Sequence, residues 1–232
     1  MSRNQDFWEI DSLDVTGLSE EDLFVRWLSR MPEIRRNKVA SLRHAESQRL
    51  SLGVGILLQK ALWRHGVDAR DAAFELNEFE KPSLKDMPNL HFSLSHAGNY
   101  ALCAVSSRPV GCDVERLDRG EPRLAERFFS PEEQRYLSQA ADRTEWNLRF
   151  TRIWTRKESC GKALGRGLNL PLREFSVLGT RALSRAVIYS ENGMLPGCLC
   201  SSCLLAEEGE ETGFPAAVWR TETAEPAPER ET

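Results

Sequence analysis

Three short segments follow one another almost without a gap within residues 90–115: LHFSLSH, YALCAVSS and PVGCDVE. The first alternates with period two, Leu90, Phe92 and Leu94 falling on one side and His91, Ser93 and Ser95 on the other, which is the pattern of a strand. Strands this close in sequence have no room for a crossover helix and pair antiparallel. The region therefore predicts a three-stranded antiparallel meander, and the rest of the chain has to cover it.

Helical patterns lie on both sides. Residues 42–65 carry Leu50, Val54, Leu57, Leu58 and Leu62 at helical spacing, together with Arg49. Gly53 and Gly55 weaken that helix but let a neighbour pack close against it. In FFSPEEQRYL, Ser130 reads as N-cap, Pro131 as N1 and Glu133 as N3 of a capping box. A second long helix is predicted over 145–164. Nearer the start, FWEIDSLDV reads as a first strand, and Ser19 with Glu20, Glu21 and Asp22 as the start of a short helix. FELNEFEKPSL reads as a strand followed by a turn, with Pro82 as the breaker. After the second helix come REFSVLG, SRAVIYS, GCLCSSCLLA and FPAAVWRT as strands, with Asn192-Gly193 as a hairpin turn. Each half thus sets helices beside short strands, an α+β chain. The acidic residues 207–213 are read as a solvated loop, and the Pro/Glu-rich residues 223–232 as a disordered tail.

The 232 residues are 41% hydrophobic and 28% charged, a globular composition with length enough for one large domain or two small ones. A net charge of −4 leaves no overall basic field for nucleic acid or an anionic membrane, so an anion must be held by a local cluster. No run approaches the roughly 18 apolar residues of a membrane span, and MSRNQDFWEIDSLDV lacks the apolar core of a signal peptide. Six cysteines in no secreted framework then predict a cytoplasmic protein with reduced thiols. Cys198, Cys200 and Cys203 are close enough in sequence to suggest a metal, but no His or fourth Cys follows at zinc-site spacing, and the segment reads as a strand.

RIWTRKESCGKALGRGL, residues 152–168, sets Arg152, Arg156, Lys157, Lys162 and Arg166 around one acid, Glu158. On a helix, Trp154, Glu158 and Lys162 share a face, and a surface Glu–Lys pair would account for that much. Asp113 and Glu115, in GCDVE, sit at period two and face the same way, as they would on an ordinary solvated strand. A second reading joins the three carboxylates into a hard oxygen site for Mg²⁺, which takes few protein ligands and completes its shell with phosphate oxygens. Lys157 and Lys162 then become phosphate partners, the layout of phosphoryl transfer. SLSHAG adds Ser95 and His96 at another strand end. With no G-x-S-x-G elbow, and with neighbours on a strand pointing to opposite faces, they suit anion binding or a plain structural turn better than a nucleophile and its base.

FEKP, HFSLSHAGNYALCAV, VGCDVE, RFFSPEE and IWTRKESCGKALGRGL occur in that order. Together they resemble the 4′-phosphopantetheinyl transferases, in the longer two-half type of the surfactin-synthetase activating enzyme. The match is best over residues 79–177 and weaker over 32–53, and its specificity lies in W-x-x-K-E-x-x-x-K combined with G-x-D-x-E. The resemblance implies a monomeric, Mg²⁺-dependent transferase. Such an enzyme moves the 4′-phosphopantetheine arm of coenzyme A to a serine of an acyl- or peptidyl-carrier protein and releases 3′,5′-ADP. It also implies two similar α+β halves, 1–108 and 109–222, related by a pseudo-twofold axis. Each would be a small, mostly antiparallel sheet packed with helices, with the site in the cleft between them. By resemblance, Asp113, Glu115 and Glu158 hold Mg²⁺, and Glu158 and Lys162 are catalytic, Lys162 also meeting the pyrophosphate. Lys81 and Pro82 lie beside coenzyme A, while Ser95, His96 and Arg49 lie near its 3′-phosphate. Whether Glu158 is base or metal ligand stays open, since both uses compete for the same oxygens. Ile34 and Asn37 fall where relatives often carry lysines, and Arg35, Arg36 and Lys38, which lie alongside, receive no individual roles.

Overall fold

The computed structural model describes residues 7–178 in full and, beyond them, the backbone of residues 189–190, 193–194, 198–205 and 214–221. The chain opens with β1 (Trp8–Asp14), a 3-10 turn at Thr16–Ser19 and two short helices, α1 (Glu21–Leu28) and α2 (Glu33–Ala40). The long α3 (Ala45–Arg64) leads to a small hairpin, β2 (Phe74–Leu76) and β3 (Pro82–Leu84). Next come β4 (His91–Ala97), β5 (Tyr100–Ser106) and β6 (Val110–Val114), then α4 (Pro122–Phe128), α5 (Pro131–Ser138) and α6 (Arg143–Ala163). Strands β7 (Tyr189–Ser190), β8 (Gly193–Met194), β9 (Cys198–Leu205) and β10 (Phe214–Thr221) complete the mixed helix and antiparallel-sheet architecture.

β4 and β5 form the expected hairpin, pairing Ser95 with Leu102 and Ala97 with Tyr100. β1 joins the other side of β5, giving an antiparallel sheet of order β1-β5-β4. The third strand of the expected meander departs. β6 pairs with β10, and β10 with β9, in a second antiparallel sheet. Side chains explain the departure: the amides of Cys112 and Val114 donate to the hydroxyls of Ser93 (3.0 Å) and Ser95 (3.4 Å). Donors on β6 are thus satisfied by serine oxygens of β4, and no backbone ladder between the two strands is needed.

β5 is covered on both faces, which is why ALCAV is an unbroken apolar run. Ala101, Cys103 and Val105 pack with α3, while Leu102 and Ala104 meet Val110, Cys112 and Val114 of β6. α3 is an interior helix, with Leu52, Val54, Ile56, Leu58 and Leu62 all buried. Its glycines serve the close packing expected of them: a Cβ on Gly53 would meet Val15 Cγ1 at 2.5 Å, and one on Gly55 would meet Met31 Sδ at 3.1 Å. A second core gathers Phe150, Ile153 and Cys160 of α6 with Phe129, Leu137 and Phe175.

Local signals near α6 hold well. The α5 capping box is present, Ser130 Oγ accepting from the Glu133 amide (3.3 Å) and Glu133 Oε2 from the Ser130 amide (2.7 Å). α6 starts slightly ahead of the expected 145, because the Asp142 carboxylate caps it through the Glu145 amide at 2.8 Å. It ends in a Schellman turn, with Gly165 at φ 70° and the Arg166 amide donating to the Gly161 carbonyl at 3.0 Å.

Other expectations need correction. Glu20, not Ser19, precedes α1, and it caps without a side-chain hydrogen bond. α2 carries no apolar stripe, only Val39 being buried, so periodicity does not reveal it. REFSVLG begins within a 3-10 turn, Leu172–Glu174, and continues as irregular backbone to Leu178, with Phe175 and Val177 anchored in the second core. Pro82 opens β3 rather than breaking a strand, since a first residue need not donate. Ser190 pairs with Gly193, which places Gly193 in β8. Asn192, most of SRAVIYS, the 207–213 loop and the 223–232 tail lie outside the described residues. Among those described, no helix is long and apolar enough to cross a membrane.

Candidate active site

α6 lies directly on β6. A Cβ at Gly111 would fall 2.0 Å from the Ser159 carbonyl oxygen and 2.3 Å from the Ala163 nitrogen, so only glycine lets the helix backbone come this close. That approach brings the last turn of α6 over β6. Lys162 Nζ donates to Asp113 Oδ1 at 2.7 Å, to Ser95 Oγ at 3.1 Å and to the Cys112 carbonyl at 3.1 Å. The Ser95 hydroxyl donates in turn to Asp113 Oδ1 at 2.8 Å. Burial works against the Lys162 charge, but Asp113 and its neighbours outweigh it and raise the ammonium pKa.

Glu158 stands one helical turn earlier, half-buried, and accepts no hydrogen bond among the described residues. Burial, then the like charge of Asp113, pushes its carboxyl up to about 7; Lys162 offsets part of this, and Glu115 adds a little. Glu115, one residue beyond β6, accepts from the Arg116 amide at 2.8 Å and lies 3.7 Å from Arg119 Nε. The three acids therefore sense one another. Even so, among the described residues no three His, Cys, Asp or Glu side chains gather tightly enough to hold a metal by themselves.

A cleft of about 240 Å³ opens beside Lys162, walled by Phe79, Lys81, Pro82, Phe92 and Ser93. Lys81, Pro82 and Lys162 are thus brought together. Ser95, His96 and Arg49 do not line it. Lys81 donates to the carbonyls of Val110 and Ala163, both at 3.1 Å; the second lies at the C-terminal end of α6, where a cation is favoured. Burial lowers its pKa to about 8. Ser95 and His96 part company on β4, as neighbours on a strand must: the serine is buried and the histidine exposed. Crowding by the surrounding chain and the charges of Lys162 and Arg35 hold the His96 imidazole below its ordinary pKa. Arg49 sits half-buried near the start of α3 and makes no hydrogen bond among the described residues.

Comparison with known proteins decides the family. The model of the 4′-phosphopantetheinyl transferase superfamily matches residues 109–210. A 4′-phosphopantetheinyl transferase of Bacillus subtilis is 36% identical over 159 residues, 68% of this chain and 69% of that one. The chain belongs to this family. The 4′-phosphopantetheinyl transferase Sfp of Bacillus subtilis (strain 168) matches to the same extent, and the transferase gsp of Aneurinibacillus migulanus is 33% identical over 57% of this chain and 58% of its own. A solved holo-(acyl-carrier-protein) synthase of Bacillus anthracis overlays with a TM-score of 0.35 at 18% identity, over 43% of this chain and 92% of that one, a likeness too slight to argue from.

Within this 4′-phosphopantetheinyl transferase, the cluster of cations around Glu158 disperses. Arg152 and Arg166 are exposed, and Arg156 donates to the Val177 carbonyl at 3.3 Å. Lys157, expected as a phosphate partner, is fully buried and paired with Glu133 at 2.8 Å. Lys162 alone of the five meets Asp113. Residues whose chemistry is carried by backbone escaped the sequence reading, Gly111 and the Cys112 carbonyl foremost. A glycine inside the strand VGCDV was the available signal, since such glycines mark a close backbone approach.

Proposed function

We propose that this transferase moves the 4′-phosphopantetheine arm of coenzyme A to a serine hydroxyl of an apo acyl- or peptidyl-carrier protein. Mg²⁺ is required, 3′,5′-ADP is released, and the enzyme works as a cytoplasmic monomer. The observation that carries the reading is Glu158: a carboxylate without a hydrogen-bond partner among the described residues, titrating near neutrality, one turn from a charged Lys162 beside an open cleft. A base poised near the working pH suits proton removal from a serine. Glu158 takes that proton directly or through a water. The serine oxygen then bonds to the phosphorus bearing the pantetheine arm as the bond to the 3′,5′-ADP oxygen breaks, and Lys162 faces the charge left on the departing phosphate.

The donor set suits Mg²⁺. Asp113, Glu115 and Glu158 offer only oxygens, and the Glu158 carboxyl is raised first by burial and then by the like charge of Asp113, a repulsion that a hard divalent cation would offset. These three would hold the ion, with phosphate oxygens completing its shell, and it would supply charge neutralisation at the pyrophosphate. Two of the oxygens are engaged in the protein, Asp113 Oδ1 by Lys162 and Ser95 and Glu115 Oε1 by the Arg116 amide. The test is incubation with coenzyme A, Mg²⁺ and a panel of apo-carriers, read by intact mass. A phosphopantetheine mass gain that a chelator abolishes is expected. No gain on any carrier would sink the transfer reading, whereas undiminished turnover in excess chelator would sink the metal alone.

The coenzyme residues divide by chemistry. Lys81, Pro82 and Lys162 border the cleft, and His96 and Arg49 remain candidates for the 3′-phosphate. Ser95 has one O–H, and it is given to Asp113; it cannot offer that proton to a phosphate at the same time. His96→Ala should weaken coenzyme A binding about tenfold, the worth of one hydrogen bond to a charged group, and leave the 3′-dephospho analogue almost unaffected. Ser95→Ala should affect the two ligands equally. Calorimetric titration of both ligands decides this, and equal losses in His96→Ala would place His96 away from the 3′-phosphate.

The two-half arrangement belongs to the same proposal, with residues 1–108 and 109–222 as similar halves about a pseudo-twofold axis. Support comes from two three-stranded antiparallel sheets, one packed with α3 and the other with α6, meeting where β4 faces β6. An experimental structure whose halves fail to superpose would refute it.

A further inference from the structure

The buried pair of Lys157 and Glu133 has no part in the chemistry above, yet it is fully satisfied. Both side chains are 0% exposed, with Nζ 2.8 Å from Glu133 Oε2. The ammonium also donates to the carbonyls of Leu172 (2.5 Å) and Phe175 (2.7 Å), which uses all three of its protons. It lies 4.5 Å from the centre of the Phe175 ring. Glu133 Oε2 also accepts from the Ser130 amide, and Oε1 accepts from the Val177 amide at 2.7 Å. One ion pair therefore ties α6 to the start of α5 and to residues 172–177.

Buried pairs of this kind are seldom needed for stability, because apolar residues of similar volume often do as well. What this one controls follows from its neighbour. Glu158 is the next residue, about 100° round the helix, and Lys162 follows one turn later. No hydrogen bond among the described residues holds Glu158, so its place depends on the rotation and height of α6. Apolar packing of Phe150, Ile153 and Cys160 holds α6 in place, and two polar or backbone contacts lie within a turn or so of Glu158: the Gly111 crossing and the Lys157 anchor.

We propose that the Lys157–Glu133 pair is a positioning device, fixing the rotation of α6 so that Glu158 and Lys162 face Asp113. The inference rests on the transfer reading for its kinetic arm but not for its structural arm. Lys157→Met alone strands the Glu133 charge and should lower Tm. Lys157→Met with Glu133→Gln removes both charges and should recover most of that Tm. In this double variant, kcat should stay about a hundredfold down, the usual effect of misplacement by an ångström, with the KM for coenzyme A changed less than about threefold. Amide hydrogens of Ser159 to Ala163 should exchange at least about tenfold faster than in the natural protein, with those of α3 unchanged.

A pair serving stability alone would return kcat together with Tm, so a folded double variant with kcat within about twofold of the natural protein and unaltered exchange overturns the proposal. Failure of the double variant to fold overturns it as well, because the pair would then hold the fold rather than aim the helix. If the natural protein transfers nothing to any carrier, the transfer reading falls, while the exchange of Ser159 to Ala163 still decides the positioning.

Discussion

Glu158→Gln is expected to be more stable than the natural protein at about pH 8 and at least about a hundredfold slower, the usual size of a general-base contribution. The sign follows from the carboxyl pKa, about 7 in the folded chain against an ordinary 4.5. Above 7 the group is ionised in both states, but only the folded state holds that charge half-buried beside Asp113 and Glu115. As pH falls from 7 towards 4.5, the folded state takes up its proton first and the penalty fades; below 4.5 both states are protonated and none remains. At roughly 1.4 kcal/mol per unit the full shift would be worth about 3.5 kcal/mol; discounted for solvent screening of a half-exposed side chain, removing the charge should gain about 2 kcal/mol at about pH 8 and much less at about pH 5. For a chain of this size that is a Tm increase of about 5 °C. Scanning calorimetry at both pH values, without divalent cation, checks it; an equal gain at both would mean that Glu158 is not in this environment. Kinetics then separate its two roles. If Glu158 is chiefly a ligand, excess Mg²⁺ should recover part of the rate; if chiefly the base, the defect persists and the acidic limb of the rate–pH profile disappears.

Gly111→Ala should be the most damaging single-methyl change among the described residues. The added carbon would sit 2.0 Å from the Ser159 oxygen, 2.3 Å from the Ala163 nitrogen and 2.9 Å from the Lys162 carbonyl carbon, all of them helix backbone. No side chain can rotate away, so α6 must lift from β6 and carry Lys162 off Asp113. Overpacking usually costs about 1 to 3 kcal/mol, and a clash with rigid backbone puts this case at about 4 kcal/mol or more. Urea unfolding measures it. Gly17→Ala is the control: nothing lies within 4 Å of a Cβ there, and a change within about 0.5 kcal/mol is expected. A Gly111→Ala protein as stable as that control would disprove the helix–strand crossing on which the site depends.

Part of the candidate site's geometry was legible because its spacing is local. Four residues on a helix bring Glu158 and Lys162 to one face, and Ser130, Pro131 and Glu133 state where α5 begins whatever packs on it. Order of motifs along the chain was enough to name the family. Partnership was not legible. Period two describes the two faces of β6 but not its neighbour, and β6 found β10, more than a hundred residues on. Lys157 and Lys162 are alike as sequence, one lysine on either side of a helix turn. Only folding sends the first into a sealed pair with Glu133 and the second to Asp113 on β6. Ser95 likewise looked like a phosphate donor until β4 came to rest against β6 and its proton went to Asp113. The sequence by itself determined which residues share a face, because that follows from backbone geometry within a few residues. The tertiary structure decided what each face meets, because that depends on burial and hydrogen-bond satisfaction among segments distant in the chain.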